Sequence, residues 1–108
     1  MRAYHVTERD NWSNIRLRGL RLGVAPAYED VGLKATFFTL QKPTYEDILY
    51  WEDLFDPVAI VVDIPPSYDV WPDEAGNEIY PEVDPVYITK SLPPRHIKGF
   101  IEVRSKRC

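Results

Sequence analysis

The stretch Val58-Ala-Ile-Val-Val-Asp-Ile64, bracketed by Pro57 and Pro65, constrains this chain more than any other. It is too short to cross a membrane, and β-branched residues dominate it, which favours a strand over a helix. Its apolar character is almost unbroken rather than alternating, and that marks a strand covered on both faces. The segment therefore predicts the centre of a β-sheet with material packed on either side.

The rest of the chain falls into place around it. Arg2 to Val6 reads as a first strand. Thr7 reads as the N-cap of a helix with Asp10 at its third position, a variant of the capping box. Trp12, Ile15 and Leu20 face the core, and Gly19 supplies the left-handed residue that closes the helix. Arg21 to Lys34 reads as a loop broken by Gly23, Pro26 and Gly32. Ala35 to Leu40 is β-prone. Thr44 then caps a second helix, with Asp47 at its third position and Pro57 at its end. Pro65 to Pro85 reads as a long, polar, irregular excursion, of the kind that is usually functional or mobile in a small domain. Val86–Thr89 is a strand, Leu92–Ile97 a tight turn, and Lys98–Val103 a closing strand. This order lacks regular βαβ alternation, so the expectation is an α+β domain with a largely antiparallel or split sheet and two short helices.

With 108 residues and no internal repeat, a single domain of residues 1–108 is expected. The net charge of −4 weighs against a broad nucleic-acid or anionic-membrane surface. Two local basic groups stand out against it: Arg9, Arg16, Arg18 and Arg21, and near the C-terminus Lys98, Arg104, Lys106 and Arg107. Each reads most simply as a solvated surface. Cys108 is the only cysteine, so no internal disulfide and no cysteine-based zinc site can form. Two histidines without metal-ligand spacing argue against zinc, and no glycine-rich phosphate loop is present. With no apolar run of spanning length, the expected setting is cytoplasmic, away from membranes.

The residues that point to chemistry lie at the start, middle and end of the chain. Tyr4-His5-Val6-Thr7 is followed by Ile15 and Gly19-Leu20; Ala35-Thr-Phe-Phe-Thr39 comes next; Val86-Tyr-Ile-Thr-Lys-Ser-Leu-Pro-Pro-Arg-His-Ile97 closes the series. In this order they resemble the ADP-ribosyltransferase superfamily, and the last stretch is similar to the end of its RNA 2′-phosphotransferase branch. The resemblance implies a split-sheet domain that binds NAD as its substrate and transfers ADP-ribose to a macromolecular acceptor, protein or nucleic acid. It assigns His5 and Thr7 to the nicotinamide ribose, Phe38 and Thr39 to the pocket wall, and Tyr45 and Tyr50 to ring stacking. It also implies a catalytic carboxylate before the late strand, for which Glu82 is the first choice, Asp84 the second and Glu78 the third. Counted back from Leu92-Pro93-Pro94, the family's glutamate falls nearer Val86 than Glu82. The phosphotransferase branch lacks that glutamate, and its basic catalytic set spans a further lobe that is not in this sequence.

Each of these residues also has a simpler reading. His5 can be a strand residue whose ring finds a backbone partner. Thr7 is explained by helix capping alone. Phe37 and Phe38 alternate across a strand, so only one can face a cleft. Tyr45 and Tyr50 can be ordinary core aromatics, and Glu82 sits among Asp69, Asp73, Glu74, Glu78 and Asp84 in an acidic segment. The alternative to an enzyme is therefore a binding protein of the same fold, holding a nucleotide or a partner protein without turnover. By analogy, a compact domain of this kind would suit a bacterial or phage effector.

Overall fold

The computed structural model describes residues 1–23, 32–48 and 54–103. Six strands make one antiparallel sheet: β1 (Arg2–Glu8), β2 (Thr36–Thr39), β3 (Pro57–Asp63), β4 (Trp71–Pro72), β5 (Pro85–Ile88) and β6 (Ile97–Glu102). Their spatial order is β4-β5-β2-β1-β3-β6. Two short helices complete the α+β domain, α1 (Trp12–Arg18) and α2 (Glu74–Ile79).

Period-two alternation decides which residues face the core. Ala3, His5 and Thr7 stand opposite Val62, Ile60 and Val58, and Ile60 in turn stands opposite Phe100. On the other half of the sheet, Phe38 pairs with Val86 and Thr36 with Ile88. Most of these residues share one face with Ile15, Leu20, Ile64 and Leu92, which together form the buried cluster. α1 lies on that face through Ile15, while Trp12 meets Phe100 edge-to-face at 5.2 Å. Gly19 ends α1 with φ of 78°, and its N–H donates to the Ile15 carbonyl as expected of a closing glycine.

Several expectations are corrected. Thr7 does not cap a helix: β1 runs on through Thr7 and Glu8 because β3 supplies partners for both in Val58 and Pro57. A 3₁₀ turn over Arg9–Asn11 intervenes before α1, and the Thr7 hydroxyl accepts instead from Asn11 Nδ2 at 2.9 Å. The run at Val58–Ile64 does form a strand, with Val58, Ala59 and Ile60 fully buried, but it is not central. β6 alone separates it from the edge, and β1 and β2 hold the middle. Burial on both faces depends on the layers above and below, not on how many strands lie to each side.

The Pro65–Pro85 excursion is largely ordered, containing β4, α2 and a 3₁₀ turn over Pro81–Val83. Asp73 is buried and caps α2, accepting from the Gly76 N–H at 3.0 Å. The helix expected after Thr44 is a turn over residues 45–48, beyond which its remainder to residue 53 lies outside the described residues. The second helix of the described fold is thus α2, from the segment expected to be irregular. Two separate half-sheets are not seen either. The sheet is continuous, although β1 and β2 join through a single register pair, Tyr4 with Thr39.

Candidate functional site at the seam between β1 and β2

That narrow junction is where the sequence-derived residues start to meet. β1 pairs with β3 along its whole length, yet meets β2 at one position only. Backbone groups beside so short a ladder need other partners. His5 supplies one: its Nδ1–H donates to the Phe37 carbonyl at 2.8 Å, reaching across the seam. The ring also meets Phe38 edge-on, with centroids 5.8 Å apart. Donation from Nδ1 selects the tautomer whose Nε2 carries a lone pair and no proton.

Burial pushes the His5 pKa below its ordinary value, and the Phe37 carbonyl opposes that shift only in part. At neutral pH the imidazole is therefore uncharged. A neutral imidazole of fixed tautomer can accept a hydrogen bond from a hydroxyl donor.

The other expected residues divide into groups. Phe38 is 2% exposed and belongs to the core, so it shapes the seam from below instead of lining an open cleft. Thr39 is equally buried, and its hydroxyl donates to the Gln41 carbonyl at 2.9 Å. Thr7 lies in β1 on the same side as His5. Tyr45 is half exposed in the turn after Thr44. Tyr50 lies outside the described residues.

Glu82 is exposed within the 3₁₀ turn, and Asp84 follows it with a left-handed φ of 54°. The Asp84 and Val83 carbonyls accept from the N–H groups of Leu40 and Gln41, which ties the turn to the end of β2. Glu82 lines a cleft of about 180 Å³ with Glu46, Asp47, Ile79, Tyr80 and Pro81. His5 is not part of that described lining. Asp47 itself is well anchored: its Oδ2 accepts from both the N–H and the hydroxyl of Thr44, each at 2.8 Å.

Sheet register relates the two groups. The row Tyr4–Thr39–Pro85 crosses β1, β2 and β5, and Asp84 immediately precedes its last member. With strands about 4.8 Å apart, the Asp84 backbone lies on the order of 12 Å from that of His5. Glu82 stands in the 3₁₀ turn, where it lines the cleft with Glu46 and Asp47. Asp84 thus adjoins the row that crosses the seam, whereas Glu82 belongs to the cleft. The partners of these residues, the Phe37 carbonyl and the Glu46–Asp47 wall, had no sequence signal, since both arise from pairing between distant segments.

No group of three or more His, Cys, Asp or Glu side chains among the described residues is arranged to hold a metal ion. Nor is any described helix long and apolar enough to cross a membrane. No family model, curated protein or solved structure matches the chain.

Proposed function

We propose that this domain binds NAD⁺ along the seam between β1 and β2 and transfers its ADP-ribose to a macromolecular acceptor. The observation that carries the reading is His5: neutral and tautomer-fixed by the Phe37 carbonyl beside a single-pair strand junction. Its Nε2 would accept from a hydroxyl of the nicotinamide ribose and hold the sugar in place. The bond between ribose C1′ and the nicotinamide nitrogen then breaks, and nicotinamide leaves with the electron pair. A carboxylate near the ribose stabilises the cationic sugar until a nucleophile of the acceptor bonds to C1′ and loses its proton. Asp84, next to the row that crosses the seam, and Glu82, in the cleft, are the candidates for that role. The Glu82 cleft is too small for a dinucleotide, so it would take only a fragment of the ligand.

A second reading is a nucleotide-binding domain without turnover. It is favoured by the Glu82 cleft, whose described lining does not include His5, since a carboxylate that cannot approach the ribose leaves binding intact and chemistry unsupported. Calorimetry with NAD⁺ and ADP-ribose, run beside an assay of nicotinamide release, distinguishes the two. Turnover lost in Asp84→Asn or Glu82→Gln identifies the carboxylate. Binding with no release supports the second reading. Absence of binding by the wild type removes both.

A further inference from the structure

The basic residues that look like scattered surface charges in the sequence are gathered into a ribbon by one β-bridge. Leu20 and Leu92 form an isolated antiparallel bridge, closed by Leu20 N–H to Leu92 O and Leu92 N–H to Leu20 O, both at 2.9 Å. Gly19 makes the close approach possible, because a Cβ there would sit 2.1 Å from the Leu92 carbonyl oxygen. Both leucines point into the core at 4% and 1% exposure, while Arg21 and Ser91 beside them are exposed. Antiparallel register sets Arg21 beside Ser91, and α1, which ends at Arg18, packs against the 3₁₀ turn Pro94–His96.

The two segments brought together, residues 16–23 and 88–98, hold Arg16, Arg18, Arg21, Lys90, Arg95 and Lys98 and no carboxylate. All six are exposed, and none makes an ion pair among the described residues. Lys90 is held over the Tyr68 ring at 5.7 Å, and Tyr68 is itself anchored through its hydroxyl to the Ser91 carbonyl at 3.0 Å. Acidic residues beside the ribbon include Asp63, which faces Lys98 and His96, and Asp69, next to Tyr68 in the chain. Arg9, by contrast, is occupied by Asp56 and Glu102 and does not belong to the surface.

We propose that this ribbon is a docking surface for the phosphate backbone of a single-stranded nucleic acid. Exposed cations gathered from two bridged segments with no carboxylate match a polyanion, and arginine forks suit phosphate oxygens. The net charge of −4 does not oppose this, because the two segments themselves carry no carboxylate. The inference is independent of nucleotide binding at His5.

The test is fluorescence polarisation with a labelled 20-nucleotide single-stranded RNA, and the DNA of the same sequence, without NAD⁺. With four phosphate contacts, affinity should fall about 50-fold between 50 and 200 mM salt. The double variant Arg21→Glu with Lys90→Glu should bind at least about tenfold more weakly at low salt while retaining the wild-type circular dichroism. Lys42→Glu, a charge reversal outside the ribbon, should bind as wild type does. No binding at 50 mM salt overturns the proposal, as does equal affinity of the double variant. Binding to phosphatidylserine vesicles but to neither oligonucleotide also overturns it, in favour of a lipid surface.

Discussion

Replacing Gly19 with alanine tests the junction on which both the core and the basic ribbon depend. The added Cβ would lie 2.1 Å from the Leu92 oxygen and 3.0 Å from the Pro93 carbonyl carbon, both backbone atoms that no rotamer change can move. Relief requires the Leu20–Leu92 bridge to open, with loss of its two hydrogen bonds at about 1 kcal/mol each. The left-handed φ of 78° adds about 1–2 kcal/mol for a residue with a Cβ. Reduced freedom of the unfolded chain returns about 0.4–1 kcal/mol. The net expectation is a destabilisation of about 3 kcal/mol, or a fall in Tm of about 13 °C at the usual unfolding entropy per residue. Thermal and urea denaturation followed by circular dichroism measure it. Gly23→Ala is the control, since nothing lies within 4 Å of its added Cβ, and its Tm should hold to within about 2 °C. A Gly19→Ala protein as stable as wild type would refute the close-approach argument and, with it, the zipped arrangement of residues 16–23 and 88–98.

His5 makes stability depend on pH with a definite sign. Its folded pKa lies below 6.5, so above pH 6.5 it is neutral folded or unfolded; as pH falls from 6.5 toward the folded value only the unfolded chain gains the proton, and stability declines. Imidazole titration by NMR should give a midpoint under 6.5, and in His5→Phe this decline should vanish. The same variant leaves the Phe37 carbonyl without its donor, for an expected loss of about 1–3 kcal/mol in urea denaturation, which an unchanged midpoint would contradict. Asp73→Ala removes the α2 cap and should cost about 1 kcal/mol in the same assay. Arg9→Met breaks the pairs with Asp56 and Glu102, and its effect should shrink as salt is raised, because these groups are exposed. Asp56, held below its usual pKa by Arg9, should lose that pairing as pH drops below 3.8.

Much of the fold can be read along the chain wherever the deciding interactions are local. Gly19 closes α1 because a left-handed residue is needed there whatever surrounds it, and the short apolar run at Val58 forms a strand because β-branched side chains favour that backbone. Alternation also separates Phe38, in the core, from Phe37 on the opposite face. Local signals fail where a distant partner outbids them. Thr7 has every mark of a helix cap, yet β3 offers it a longer ladder and the strand continues. Pro65–Pro85 looks irregular, yet pairing of Trp71 with Tyr87 and the buried Asp73 cap order its middle.

The sequence by itself determined the inventory: the α+β class, most strand positions, a histidine early in the chain, carboxylates late in it and cations in two separate runs. Only the tertiary structure decided which of these meet. Strand pairing put His5 against the Phe37 carbonyl, tied Asp84 to the end of β2, and set Arg21 beside Ser91. The physical reason is that periodicity and capping act over a few residues, whereas register joins segments tens of residues apart. The chemistry of a site depends on the second kind of contact.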